Sequence, residues 1–167
     1  MPRIRSLVSS LVVCLAVTSV PRVSFAQGTC KAFEGKLSQT LIVSPNDPFG
    51  RLLGTASGSI KGSQTSILTS ITPLGTTIRL TTLESFVTGP NDLLQEAGVQ
   101  DLVQVAGAPI GTVTSSAVLT ISGGTGKYAG ATGNLNLSGT GRNVFGPAAG
   151  PGIGTFDLVV VGTYCIP

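Results

Sequence analysis

Several short segments between residues 33 and 138 alternate apolar and polar side chains, and this period of two limits the fold more than any other feature. In the first segment the odd positions carry Phe33, Leu37 and Leu41, whereas the even positions carry Glu34 and Lys36. Since successive side chains of a strand point to opposite faces, each such segment predicts a half-buried β-strand. The same period continues in residues 76–87, 111–121 and 134–138.

Turn-forming residues separate these segments. The sequences SPNDPFG (44–50) and PLG (73–75) hold the Pro, Gly and Asn that tight turns use. Only residues 92–97, entered through Asn91 or Asp92 as a cap, are predicted to form a helix. About eight short strands with almost no helix predict an all-β domain: a single antiparallel eight-stranded β-barrel, or alternatively a β-sandwich. Closure into a barrel would remove exposed strand edges, which suits a chain with few charges to protect them.

Residues 1–26 have the features of an export signal. Two arginines precede an apolar stretch, and residues 24–26 (SFA) offer the small side chains that a signal peptidase recognises. A membrane anchor would need about 20 strongly apolar residues, and Pro21 interrupts this stretch too early. We therefore predict cleavage before Gln27, one secreted domain over residues 27–167, and an extracellular or periplasmic location with no membrane anchor.

Loss of this signal changes the charge of the chain. The full sequence holds 10 basic and 7 acidic residues, and three of its arginines lie within residues 1–26. The mature domain is then near neutrality, which removes the electrostatic case for binding nucleic acid or an anionic membrane. The sequence contains no histidine, which excludes Ser-His-Asp triads, Cys-His pairs and His-ligated zinc or haem. We expect no cofactor and no metal site.

Two cysteines remain in the mature domain, Cys30 and Cys165, and they lie near its two ends. In an oxidising compartment such a pair predicts one structural disulfide. A redox or metal-binding role would need a further thiol or a histidine nearby, and the mature sequence has neither.

The glycine-rich stretch ISGGTGKYAGATG (121–133) allows two interpretations. Its residues 124–129 match the G-x-G-x-x-A pattern of dinucleotide-binding loops, whose chemistry requires a helix N-terminus facing the pyrophosphate. Here further glycines interrupt any helix, and the residues that follow alternate like a strand. We therefore predict a tight connection between two strands, with Tyr128 and Ala129 folded back over one end of the core.

The sequence ISGGTGKYAGATGNLNL (121–137) also resembles the GGTGxFxGAxG stretch of the allene oxide cyclase/dirigent-like β-barrel superfamily and its bacterial secreted relatives. The resemblance covers about residues 111–140, and it extends more loosely to the flanking strands and the final GTY strand. It implies an eight-stranded antiparallel barrel. Because the motif marks a connection and not a catalytic centre, it implies no particular activity. The catalytic residues of that family match no position in this chain.

Strand phase directs two carboxylates toward the predicted core. Glu84 shares the even-numbered face of residues 76–87 with apolar side chains, and Asp101 shares the odd-numbered face of residues 99–105 with valines. Burial raises the pKa of a carboxyl group, so both are candidate catalytic acid/base residues. Two alternatives would place them in solvent: a β-bulge near Thr81 would turn Glu84 outward, and Asp101 would simply cap a loop.

Three polar residues are candidate ligand contacts. Gln39 and Thr69 lie in phase with apolar neighbours on their strands, and together with Glu84 they are predicted to hydrogen-bond a ligand inside the barrel. The acidic residues between positions 84 and 101 follow no calcium-loop spacing. For this acidic group, which consists of Glu84, Asp92, Glu96 and Asp101, a solvated face is the favoured alternative to a metal site.

Three functions are compatible with a secreted barrel. The first is binding of a small apolar ligand in the barrel, and the second is a cyclase- or dirigent-type enzyme that shapes an apolar intermediate. The third is a structural or surface adhesion protein. The first two need an interior that admits a ligand, and the enzyme also needs an inward polar pair. The third needs a filled core with an exposed apolar patch or an open edge strand. We favour the first.

Overall fold

Eight antiparallel strands make up the domain, as the alternating pattern predicts. A computed structural model describes residues 28–44, 47–144 and 153–167, and the predicted export signal lies outside these residues. The strands are β1 (Thr29–Ser44), β2 (Asp47–Gly58), β3 (Gly62–Leu74), β4 (Thr77–Gly89), β5 (Asp92–Gln104), β6 (Val113–Thr125), β7 (Thr132–Arg142) and β8 (Ile153–Ile166). Each strand pairs with its neighbour in sequence, and β8 pairs with β1 to close a barrel. The barrel is therefore confirmed and the sandwich is wrong.

A long ladder and a disulfide close the barrel between its first and last strands. The pairing runs from Thr29 opposite Ile166 to Ile42 opposite Ile153. Near one end of this ladder Cys30 lies opposite Cys165, and the two residues form the predicted disulfide across 135 residues of sequence. The bond therefore joins the two ends of the domain at the strand pair where closure occurs.

Inward side chains from all eight strands form one core. The odd positions of β1, β6 and β7 and the even positions of β4 point inward, as the period of two predicts. Phe33 and Phe86 meet edge to face inside the barrel with ring centroids 6.3 Å apart. Phe156 from β8 and a set of leucines complete the buried interior. The two predicted strand phases that fail, in β3 and β5, both concern the candidate site described below.

The glycine-rich connection between β6 and β7 covers one end of the core. It contains a single 3-10 turn, Gly126–Tyr128, followed by strand, and so lacks the α-helix that a dinucleotide site requires. Gly126 adopts φ +58°, a conformation that favours glycine. Tyr128 is buried, with its ring 6.0 Å from that of Tyr164. The predicted inward Tyr128 is confirmed; Ala129, however, is exposed, and Ala131 is buried instead.

Polar contacts hold this connection against the turn between β4 and β5. The backbone N–H of Lys127 donates to Asp92 Oδ1 at 3.1 Å, and Lys127 Nζ lies 3.2 Å from Asp92 Oδ2. The hydroxyl of Thr125 donates to the carbonyl oxygen of Asn91 at 2.8 Å. The hydrogen bonds from Lys127, that of its backbone N–H first, lower the pKa of Asp92. The carboxylate of Asp92 is thus an anchor for the cover of the barrel.

The predicted helix over residues 92–97 is wrong, because these residues begin β5. A helix of six residues is too short to be stable by itself, whereas β5 gains hydrogen bonds to β4 on one side and β6 on the other. Leu94 and Glu96 then face the barrel interior together. This correction places a second acidic residue inside the barrel.

Candidate functional site

Glu84 lies on the inner face of β4, as predicted, with 4% of its surface exposed. Its Oε2 accepts a hydrogen bond from Gln64 Nε2 at 2.8 Å, and its Oε1 accepts one from Thr82 Oγ1 at 3.0 Å. Burial raises the pKa of Glu84 to about 7 and outweighs these two hydrogen bonds, each of which lowers the pKa. Glu84 therefore changes its charge near neutral pH.

The bulge that would have turned Glu84 outward lies on the neighbouring strand. The register between β3 and β4 shifts between Leu68 and Ser70, which pair with Thr82 and Thr81 in turn. Thr69 is the extra residue of this bulge, so β3 absorbs the irregularity and β4 pairs with β3 without an extra residue of its own. The inward orientation of Glu84 is retained for this reason.

Glu96, which was not predicted as a site residue, lies beside Glu84 in the barrel interior. The two residues face each other in the β4–β5 register. Glu96 is 2% exposed, and neither of its carboxyl oxygens has a hydrogen-bond partner. Burial, and next the nearby charge of Glu84, raise the pKa of Glu96 well above its ordinary value. The sequence does hold a signal for an inward Glu96, because this residue shares the even-numbered positions of β5 with Leu94 and Leu102.

Further buried polar side chains adjoin this pair. Ser66 faces Glu84 from β3, and its hydroxyl oxygen has no partner. Gln39 and Gln64 lie on either side of Gly54 in the β1–β2–β3 register, and the side-chain oxygen of each glutamine is unpartnered. A Cβ atom on Gly54 would lie 2.9 Å from Gln39 Cγ and 3.2 Å from Gln64 Oε1. Glycine at this position therefore leaves room for both amides.

We refer to these buried residues together as the lumenal polar cluster; it consists of Gln39, Gln64, Ser66, Thr82, Glu84 and Glu96. The cluster occupies the inner faces of β1, β3, β4 and β5. The inner faces of β6, β7 and β8 across the barrel are largely apolar, with Leu119, Leu135 and Phe156 fully buried there. The interior thus combines an acidic polar wall with an apolar one.

Asp101 does not belong to the cluster, and its predicted inward orientation is wrong. The even positions of β5 face inward, so Asp101 lies on the outer surface. Both of its oxygens accept hydrogen bonds from Arg79, at 2.7 Å from Nε and 2.8 Å from Nη2. These hydrogen bonds lower the pKa of Asp101. Asp101 is half of a surface ion pair and cannot contact a ligand inside the barrel.

Thr69, the third predicted ligand contact, is also outside. As the bulged residue of β3 it is exposed, and its hydroxyl donates to the carbonyl oxygen of Thr81 at 3.2 Å. The prediction assumed that Thr69 shares a face with Ile67, but Ile67 is itself 50% exposed. Of the predicted ligand contacts, the structure brings Gln39 and Glu84 into the interior and leaves Thr69 on the surface.

The lumenal carboxyl groups have no cationic side chain beside them. All seven lysines and arginines of the described residues are exposed on the outer surface or at the barrel ends. Within residues 28–44, 47–144 and 153–167 no group of three His, Cys, Asp or Glu side chains is placed to hold a metal ion. Neutralisation of the pair therefore requires bound protons or a bound cationic group.

Comparison with known proteins identifies no relative. No protein-family model, no curated protein and no solved structure matches this chain. The resemblance to allene oxide cyclase and dirigent-like barrels thus depends on the glycine-rich stretch and the strands beside it. In the part of the chain that the structure describes, no helix is both long enough and apolar enough to cross a membrane.

Proposed function

We propose that this chain is an exported barrel that binds a small, largely apolar ligand in its interior, with a polar group of the ligand at the lumenal polar cluster. One observation carries the proposal: five side-chain oxygens of the cluster are buried without a hydrogen-bond partner. They belong to Gln39, Gln64, Ser66 and Glu96. An apolar enclosure with a few convergent polar groups is the usual character of a small-molecule site.

The unpartnered oxygens favour a ligand because leaving them empty is costly. A buried polar atom without a partner costs about 1–3 kcal/mol, and native proteins keep few such atoms. Here they are grouped on neighbouring strands beside a carboxyl pair. A ligand that donates hydrogen bonds would satisfy several of them, and the apolar wall of β6 to β8 would contact the rest of the ligand.

Export is supported by two features. Residues 1–26 carry the pattern of a cleaved signal, and the disulfide between Cys30 and Cys165 suits an oxidising compartment. A secreted location would also explain why a domain with little charge is closed by a covalent bond.

A second candidate function is that of a cyclase- or dirigent-type enzyme, and the carboxyl pair favours it. Burial raises the pKa of Glu84 to about 7, so that it exchanges its proton readily near neutral pH, and it raises the pKa of Glu96 well above its ordinary value. Two carboxyl groups in different protonation states can supply a general base and a general acid. The glycine-rich motif resembles that of a superfamily that contains such enzymes.

A structural or adhesive role is the third candidate. Its support is a diagonal row of apolar side chains on the outer surface, in which Leu53, Ile67, Leu83 and Val118 are each about half exposed. Closure of the barrel leaves no open edge among β1 to β8, and this role gives the buried carboxyl pair no task. We therefore place it third.

Native mass spectrometry of the mature protein tests the binding proposal. The wild-type protein is expected to retain a bound small molecule, and the variant Glu84→Gln/Glu96→Gln is expected to lose it. The control is Glu34→Gln, which makes the same kind of replacement at one position on the outer face of β1 and should retain the molecule. A wild-type protein that shows only its own mass, and that no added apolar alcohol or amine stabilises, would contradict the proposal. Chemical conversion of the bound compound would favour the enzyme.

A further inference from the structure

We infer that the lumenal polar cluster recognises an organic ammonium group, so that the ligand is a small apolar amine. This inference rests on the proposed function and adds the charge of the ligand's polar group. It depends on three properties of the cluster, namely its hydrogen-bonding atoms, its charge and the apolar wall that faces it.

The hydrogen-bonding atoms that lack partners are oxygens. Gln39 Oε1 and Gln64 Oε1 are acceptors, and Ser66 Oγ can accept as well as donate. Gln64 is oriented by its Nε2, which donates to Glu84, so its oxygen is left for another group. When the Glu96 carboxyl ionises it loses its O–H donor, and both of its oxygens then act only as acceptors. An ammonium group has three donors and no acceptor, and it therefore complements this set better than a hydroxyl or a carboxylate does.

The charge of the cluster points the same way. Glu84 and Glu96 face each other in register at 4% and 2% exposure, and every described lysine and arginine lies outside the interior. The strands that flank this pair add no titrating group: Glu84 lies opposite Ser66 on β3, and Glu96 lies opposite Ile121 on β6. Buried carboxylates are favoured by a positive charge beside them, and since no described side chain supplies one inside this barrel, a cationic ligand would.

Proton release follows from this arrangement. When a protonated carboxyl of the pair binds an ammonium ion, the carboxyl loses its proton to solvent and the ammonium keeps its own three protons. The product is a carboxylate–ammonium pair, so one proton leaves for each amine bound. Since an alkylammonium titrates near the lysine value of about 10.4, the ligand stays charged while Glu84 ionises. Binding should therefore tighten as the pH rises from 6 to 8.

The apolar wall distinguishes an amine from a metal ion. Calcium requires about six or more oxygens around it, whereas the described residues offer no group of three acidic side chains placed to hold a metal ion. The fully buried Leu119, Leu135 and Phe156 make the inner faces of β6, β7 and β8 apolar. An ammonium on an apolar chain would place its charged end at the carboxyl pair and its chain against these residues. The two-sided interior therefore fits an amphipathic cation.

Calorimetric titration of the mature, disulfide-bonded protein tests the inference with three compounds of equal chain length: 1-aminooctane, 1-octanol and octanoate. At pH 8 the amine should bind about tenfold or more tightly than the alcohol, because charge-assisted hydrogen bonds are the stronger class. Glu84→Gln and Glu96→Gln should each lower the affinity for the amine by about tenfold and change the affinity for the alcohol by no more than about threefold. Glu34→Gln should change neither affinity.

The possible results separate the two proposals. Equal or tighter binding of 1-octanol or octanoate would overturn the amine inference and leave the proposed function standing. Binding of calcium chloride at the pair in place of the amine would also overturn it, and failure of all three compounds to bind would count against both proposals. If the glutamine variants do not fold, titration of wild-type protein at pH 6 in buffers of different ionisation enthalpy still decides. Release of about one proton per amine is expected, and no release would overturn the inference.

Discussion

Replacement of Glu84 by glutamine should remove part of a pH-dependent loss of stability. Because burial raises the pKa of Glu84 to about 7 from the ordinary value of 4.5, the folded state holds this proton more tightly than the unfolded chain does. The resulting stabilisation is complete below pH 4.5 and is lost as the pH rises to about 7. Over that window the free energy of unfolding falls by about 3 kcal/mol on account of Glu84, at about 1.4 kcal/mol for each pH unit.

The other shifted carboxyl groups either do not change the stability between pH 4.5 and 7 or change it in the same direction as Glu84. The pKa of Glu96 is also raised, so its contribution is likewise lost as the pH increases. The pKa values of Asp92 and Asp101 are lowered from 3.8. Their stabilisation is present above that value and is lost only as the pH falls through their lower folded values. Between pH 4.5 and 7, the slope of stability against pH therefore reports the inner carboxyl groups.

Urea unfolding at several pH values between 4.5 and 8 measures this slope. Wild-type protein should lose stability across the range, Glu84→Gln should lose about 3 kcal/mol less, and Glu84→Gln/Glu96→Gln should lose least. The control Glu34→Gln, exposed on β1, should follow the wild type. If the curves of Glu84→Gln and wild type run parallel over this range, the interpretation of Glu84 as a buried, proton-retaining group is refuted.

Three further predictions concern the parts of the barrel that hold the site in place. Replacing Cys30 and Cys165 by serine should lower the free energy of unfolding by about 4 kcal/mol, since the bond spans 135 residues. An unchanged urea midpoint relative to wild type would show that the β1–β8 pairing is stable without the disulfide. Tyr128→Ala should cost about 3 kcal/mol by uncovering one end of the core, whereas Tyr128→Phe keeps the ring and should cost far less; equal thermal midpoints for the two variants would contradict the buried position. Gly98→Ala should destabilise by about 2 kcal/mol, because the added methyl group would collide with the carbonyl oxygen of Val118. The control Gly89→Ala meets only a side chain, at 3.2 Å, and an equal loss of stability in both variants would exclude the collision as the cause.

The barrel was predictable from the sequence because most strands obey a simple alternation. In β1, β4, β6 and β7 the apolar side chains point inward, and the polar ones point to solvent. The disulfide was predictable as well, because export and the two remaining cysteines leave one pairing. Alternation also placed Gln39 and Glu84 inside, since each shares a strand face with apolar neighbours.

The failures occur where the interior is polar. In β3 the buried positions hold Gln64 and Ser66 while Ile67 faces solvent, and in β5 Gln100 is buried while Val99 is 38% exposed. A pattern that assigns apolar residues to the core then selects the wrong face, which is how Thr69 and Asp101 were misplaced. Local rules fail most often at functional or strained sites, and both errors lie on strands that contribute to the lumenal polar cluster.

The acidic pair itself depends on information that no short segment contains. Glu84 and Glu96 lie opposite each other because β4 and β5 form a hairpin in one particular register. In addition, the register between β5 and β6 shifts at a β-bulge between Gln95 and Glu96. Residues 90–91 form the turn of this hairpin, whereas the prediction used Asn91 or Asp92 as the cap of a helix over residues 92–97. A correct turn assignment would have started β5 at Asp92, with its even-numbered residues facing inward, and would have placed Glu96 beside Glu84.

Carbon-13 NMR titration of the glutamate carboxyl groups in the mature protein tests most directly whether two acidic side chains share the dry interior of a closed barrel. The carboxyl resonance of Glu84 should titrate at a pKa of about 7, and that of Glu96 should titrate well above the ordinary glutamate value. Resonances that both titrate near the ordinary glutamate value of about 4.3 would show that these side chains are solvated, which would contradict the buried acidic pair and every proposal built on it.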